Sequence, residues 1–115
     1  MKVRSYKIEG IVVVEPLEKF LTGDEVKVLE NKLAEALSSN ISRVIIDFSK
    51  TELIYSAFIS VLLAYNQRFK LRGGSIKLAN LGPEVQKIME VTRLFQIFET
   101  YPSLDEALNS FKAGR

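Results

Sequence analysis

Hydrophobic positions change their spacing along this chain in an order that predicts alternating strands and helices. Residues 3–8, VRSYKI, alternate with period 2, and beyond Glu9-Gly10 the run Ile11, Val12, Val13, Val14 is apolar and β-branched, which together predict a β-hairpin. Glu15 and Pro16 end the second strand, since proline supplies no ladder donor, and the segment up to residue 21 reads as loop. A helix starts at Thr22, where Glu25 three residues on completes a capping-box pattern. Val26, Leu29, Leu33, Ala36 and Leu37 then recur at helical spacing, while Lys27, Glu30, Lys32 and Glu35 form the solvated face. After a Ser38-Ser39-Asn40 break, residues 43–48, RVIIDF, place three β-branched residues in a row, the mark of a central strand buried on both faces.

Residues 49–52 read as a turn, and Ser56 is positioned to act as N-cap of a helix reaching about Leu71, stopped by Arg72-Gly73-Gly74. Residues 75–78 read as a strand. Gly82-Pro83-Glu84 opens a third helix with proline in its first turn and Val85, Ile88 and Met89 toward the core. Residues 95–98, FQIF, read as a short final strand. Pro102, Ser103 and Asp105 introduce a last helix whose apolar residues are Leu104, Ala107, Leu108 and Phe111. The order ββαβαβαβα calls for helices packed against a largely parallel sheet with an antiparallel hairpin at one side. Residues 1–112 form one domain, and residues 113–115 read as a frayed end.

Composition narrows the chemistry. The 115 residues contain no cysteine and no histidine. That removes disulfides, thiolate nucleophiles, imidazole bases and the ordinary zinc ligands, so no catalytic, cofactor-binding or metal-binding residue is assigned and an enzyme is the least favoured reading. The formal charge of +2 comes from 16 basic and 14 acidic residues spread along the chain, so no field draws the protein to nucleic acid. No apolar run approaches the length of a membrane span, and the amino-terminal MKVRSYKIEG lacks a signal peptide's hydrophobic block; the chain reads as soluble and cytoplasmic.

Individual motifs have ordinary structural explanations. Gly73-Gly74 precedes a strand instead of opening a helix, which fits a helix stop and tight turn better than a phosphate cradle. Asp24 and Glu25 fit the first turn of a helix, where negative charge meets the positive end of the dipole. Asp47 ends a hydrophobic strand at the carboxyl edge where parallel sheets collect their sites, and it equally suits the start of a DFSK turn. Phe20 lies in a loop and Phe58 in the first turn after Ser56, so an exposed pair there would form a protein-binding patch.

Two stretches resemble the STAS domains, the family named for sulfate transporters and antagonists of anti-sigma factors, and in particular its free-standing bacterial members. RVIIDFSKTELIYSAFISVLL is similar to the family's hydrophobic strand, D-L-S, and D-S-x-G pattern. RGGSIKLANLGPEVQKIMEVTRLFQIFETYPSLDEAL carries, in family order, the arginine-glycine turn, strand, L-x-P-E-V helix and terminal helix. The resemblance covers nearly the whole chain. It implies an α/β fold, a small mixed, mainly parallel β-sheet with an N-terminal hairpin and about four helices packed on one side.

The resemblance also implies a function: an anti-sigma factor antagonist that binds an anti-sigma factor/serine kinase and is switched off by phosphorylation at Ser56. The partner is then a protein, with no nucleic acid and no membrane. Partner-binding positions implied are Phe20, Tyr55, Ser56, Ala57, Phe58 and Ser60, with Glu18, Asp24 and Asp47 supporting the switch. This chain departs from the pattern at two places, Tyr55 standing at the family aspartate and Phe58 at the glycine. The alternative reading is a STAS scaffold or interaction module of a stress-signalling complex, in which Tyr55 and Phe58 form a permanent apolar contact and no kinase acts.

Overall fold

The computed structural model describes residues 2–113, so the expected fraying at Gly114 and Arg115 lies outside the described residues. The alternating residues of β1 (Val3–Ile8) and β2 (Ile11–Pro16) pair antiparallel, from Val3 opposite Pro16 to Ile8 opposite Ile11. Glu9 (φ 50°) and Gly10 (φ 83°) make the two-residue turn, whose positive φ angles match the right-handed twist of the strands. β2 then pairs in parallel with β3 (Arg43–Asp47), β3 with β4 (Ser75–Ala79) and β4 with β5 (Thr100–Tyr101), giving a five-stranded sheet in sequence order. The crossovers are α1 (Gly23–Ser38), α2 (Ser56–Lys70) and α3 (Pro83–Val91), and α4 (Leu104–Lys112) closes the described chain.

The alternation of side chains along β3 divides the core in two. Val44 and Ile46 face a cluster built with Leu29 and Leu33 of α1, Phe58, Leu62 and Phe69 of α2, and Val85 and Met89 of α3. Ile45 faces the other way, into a smaller cluster with Ile11, Val13 and Ala79 of the sheet and Ala107, Leu108 and Phe111 of α4. Four helices packed on one side is therefore corrected to three helices on one face and α4 on the other. The cause is the central strand itself: three successive β-branched residues put apolar surface on both faces, and each face needs a cover.

The last strand is also displaced from its expected place. Arg93 adopts a left-handed conformation (φ 60°) just beyond α3, and residues Leu94–Gln96 form a 3-10 turn. Leu94 and Phe98 are buried and joined by a Phe98 N–H bond to the Leu94 carbonyl at 2.9 Å, whereas Phe95 and Ile97 are exposed. The buried pair thus follows helical and not strand spacing, and the ladder resumes only at Thr100, opposite Leu78.

Two tight ties close the pole where helices return to strands. The buried Asn66 of α2 accepts the Ile76 N–H through Oδ1 at 2.9 Å, pinning the start of β4 to the helix. Gly74 lies so close to the preceding strand's entry that a Cβ there would sit 1.7 Å from the Ser42 carbonyl oxygen. Beneath α4, the fully buried Lys77 donates to Ser110 Oγ at 2.8 Å, with its ammonium 4.0 Å from the Phe111 ring centre and 3.7 Å from Glu99. The chain ends fall at opposite poles. Lys2 pairs with Glu25 beside the end of β2 (3.0 Å), and Lys112 pairs with Glu9 at the hairpin turn (3.1 Å).

Candidate functional site

Because β2, β3 and β4 run parallel, their carboxyl ends share one pole and the loops that follow them gather there. Two of these loops, residues 17–22 and 48–55, are stitched together. The Glu52 and Leu53 amides both donate to the Lys19 carbonyl (2.8 and 3.0 Å), the Leu21 amide donates to the Leu53 carbonyl (3.2 Å), and Thr51 Oγ1 donates to the Glu18 carbonyl (3.3 Å). This short parallel bridge sets Phe20 beside Leu53, immediately ahead of α2.

Helix α2 begins one residue earlier than the sequence suggests. Tyr55 occupies the N-cap position with extended backbone, and Ser56 is the first helical residue; no side chain caps this end. The expectation that Ser56 caps the helix is therefore corrected. The Phe58 and Ile59 amides bond the Tyr55 carbonyl (3.0 and 3.2 Å), while the Ser56 and Ala57 amides precede any intrahelical acceptor. The Ser56 hydroxyl is exposed and makes no hydrogen bond among the described residues. The first turn carries no acidic residue, and Arg68 and Lys70 sit in the last turn, so the exposed serine lies at the positive end of a helix with no competing anion.

Around it, Tyr55 (46% exposed), Ala57 and Ser60 are open to solvent, and Phe20 on the neighbouring loop is 48% exposed. Ser60 is one helical turn beyond Ser56 and shares its outward face. Phe58 does not belong to this surface. It is fully buried, its ring packed edge-on against Phe48 at a centroid distance of 5.8 Å and an interplanar angle of 85°. A partner-contacting Phe58, and an exposed Phe20–Phe58 pair, are thus corrected: the third position of the helix points inward with Leu62, one turn on.

The three acids expected to support the switch have separate places. Asp47 is buried at the end of β3, where Oδ1 accepts from the Ser49 amide and from Asn80 Nδ2, both at 3.0 Å, and so braces two loops. Glu18 is exposed on the stitched loop, and Asp24 is exposed in the first turn of α1. Two other glutamates matter more to the pole's electrostatics. Glu25 accepts from the Thr22 hydroxyl (2.7 Å), from Lys2 Nζ (3.0 Å) and from the Thr22 amide (3.0 Å), and these bonds hold its carboxyl down to about 2.

Glu15, which the sequence offered only as a strand end, is buried at the close of β2. Its Oε1 forms an ion pair with Arg4 Nη2 at 2.8 Å, and its Oε2 accepts from Lys50 Nζ (3.1 Å) and Ser49 Oγ (3.2 Å). Burial pushes this carboxyl up, but the hydrogen bond and charge of Lys50, then Arg4 and Ser49, more than offset it and leave it below the usual carboxylate range. The available signal was register, since Arg4 stands directly opposite Glu15 in a two-residue hairpin. Among the described residues, no group of three His, Cys, Asp or Glu side chains is placed to hold a metal ion, and no helix is long and apolar enough to cross a membrane. A cleft of about 410 Å³ between the loops after β3 and β4 is lined by Ser49, Thr51 and Asn80 and flanked by Glu52 and Glu84.

Comparison with known proteins agrees with this architecture. A Bordetella bronchiseptica protein provisionally named as the anti-sigma factor antagonist BtrV is 27% identical over 114 residues, covering 99% of this chain and 97% of that one. The solved structure of the unphosphorylated anti-sigma factor antagonist SpoIIAA superposes with a TM-score of 0.84 at 18% identity, covering 96% of each chain. A serine-to-glutamate variant of Moorella thermoacetica RsbS superposes with a TM-score of 0.81 at 21% identity, covering 98% of this chain and 97% of that one. The STAS domain model matches residues 2–107, from β1 into α4. With the sheet order, the helix crossovers and this match in agreement, the chain belongs to the STAS domain family.

Proposed function

We propose that this protein is an anti-sigma factor antagonist that binds an anti-sigma factor with serine kinase activity through the pole bearing Phe20, Tyr55, Ser56, Ala57 and Ser60, and that phosphorylation of Ser56 releases it. The observation that carries the reading is the exposed, unbonded Ser56 hydroxyl in the first turn of α2, within a STAS fold. The relative named as an antagonist and the SpoIIAA likeness support the class of partner. SpoIIAA has also been solved in a phosphorylated form, to which this chain is similar with a TM-score of 0.75.

The chemistry is local. A phosphoryl group moves from ATP to the serine oxygen, the serine proton is lost, and ADP leaves. The product carries close to two negative charges beside the unpaired Ser56 and Ala57 amides, where the helix dipole favours an anion and the fold is preserved. The same charges on a surface that includes the half-exposed Tyr55 ring desolvate poorly against a partner, so the complex dissociates while the domain stays folded.

The scaffold reading keeps one supporting observation, the aromatic ring of Tyr55 standing half-exposed at the helix start. Incubation with ATP and anti-sigma kinases encoded in the same genome, followed by mass spectrometry, separates the two. Modification at Ser56 that disappears in Ser56→Ala establishes the switch. Stable partner binding without modification, lost in Tyr55→Ala, establishes the scaffold instead. Failure of every such partner to bind the unmodified protein refutes both.

A further inference from the structure

We infer that Glu15 is a positioning residue for the partner-binding pole, a buried carboxylate that holds the loop leading into Ser56 in place from the hairpin side. The inference rests on the reading of Ser56 and its neighbours as the partner surface. Residues 48–55 are anchored along one flank by backbone bonds to residues 18–21. Toward β4 the loop is held by the Phe48 amide bond to the Ala79 carbonyl (2.9 Å) and by Asp47 on the Ser49 amide, and toward the hairpin by side-chain contacts. There Lys50 and Ser49 both reach Glu15 Oε2, and Arg4 of β1 forms an ion pair with the opposite oxygen of the same carboxylate at 2.8 Å. One side chain from β2 thus joins the hairpin to the loop.

The burial of its members shows why the carboxylate is the organising group. Glu15 is 3% exposed, whereas the side chains of its two cationic partners are each more than half exposed, Arg4 at 56% and Lys50 at 55%. If the negative charge is removed, both cations can turn to water, so the sheet survives and the loop is what loses its hold. With the hairpin-side contact gone, Phe20 and Tyr55, which belong to the two stitched loops, keep their relation to Ser56 through the backbone bonds between residues 18–21 and 51–53, which hold it less firmly. A preorganised surface becomes one that must be ordered by the partner, which weakens binding.

The test uses Glu15→Gln, Lys50→Met and the double variant, with amide hydrogen exchange followed residue by residue. In each single variant, exchange at Thr51, Glu52 and Leu53 is expected to rise about tenfold while amides of β3 and β4 keep their rates, and the double variant is expected to go no further than the singles. A uniform rise through the sheet would assign Glu15 to general stability and overturn the proposal, as would unchanged loop exchange or additive effects of the two substitutions. Against an anti-sigma factor that binds the wild-type protein, Glu15→Gln is expected to lower affinity about tenfold; wild-type affinity despite a loosened loop would overturn the positioning role. If no anti-sigma factor binds the wild-type protein, the reading of the Ser56 pole fails by itself, and the exchange pattern still decides whether Glu15 holds the loop.

Discussion

Replacing Phe58 by alanine separates a packing role from a binding role at one of the two residues that depart from the family pattern. The ring is fully enclosed and stands edge-on to Phe48. Truncating a buried phenylalanine costs about 3–5 kcal/mol, through lost transfer free energy and the cavity left behind, and about 0.5–1.5 kcal/mol of this site's contribution is the ring–ring contact. For a domain of this size each kcal/mol corresponds to roughly 4 °C, so Tm should fall by about 12–20 °C. Ser56→Ala, on an exposed hydroxyl without a hydrogen bond, should stay within about 0.5 kcal/mol of wild type. Both are read by urea and thermal unfolding followed by circular dichroism, alongside partner binding measured well below the lowered Tm. The folded fraction of Phe58→Ala should bind normally. If it instead melts near wild type and loses binding, the ring is a contact surface and the packing described for α2 is wrong.

Ser56→Glu should preserve the fold and raise stability by about 0.3–1 kcal/mol, since a carboxylate replaces a neutral group in a helix first turn; a fall in Tm would show that this end of α2 does not favour an anion. Glu25, held down to about 2, contributes stability that is fully present above its ordinary value of 4.5 and is lost as pH falls from about 4.5 toward 2; Glu25→Gln should flatten that part of the stability–pH curve, and an unchanged acid slope would contradict the assignment. Gly74→Ala should destabilise by several kcal/mol, because its Cβ would meet backbone and not a flexible side-chain tip; a wild-type urea midpoint would show that the Ser42 segment moves away freely.

The strands and helices were legible in the sequence wherever one period ran long enough to be unmistakable. The hairpin, the five apolar positions of α1 and the buried run of β3 are examples. The segment 94–98 was not, because two buried residues four apart within FQIF and its neighbour look like a short strand when the left-handed Arg93 that re-aims them is unseen. The side of the sheet taken by α4 was also hidden: amphipathic spacing identifies Ala107, Leu108 and Phe111 as inward, and says nothing of which sheet face they meet. At the candidate site, the position of Ser56 near the start of α2 could be read from the apolar run after it. Its one-residue offset from the cap could not, because Tyr55 takes the cap position through backbone conformation alone. Phe58 was misjudged since a helix's third residue can face either way until the partner element, here Phe48, is known. Glu15 and Lys77 were missed for a common reason, that buried charge depends on partners distant in sequence.

The placement of the two chain ends has a practical consequence for handling the molecule. Lys2 is tethered to Glu25 at the same pole as the loops around Ser56, whereas Lys112 reaches Glu9 at the far end of the hairpin. A purification tag or fluorophore attached ahead of Lys2 would crowd the face of the pole proposed above to receive the partner. The same appendage placed after α4 would leave that face clear, so immobilisation through the carboxy-terminal side is the orientation in which a sensor surface reports on the unobstructed molecule.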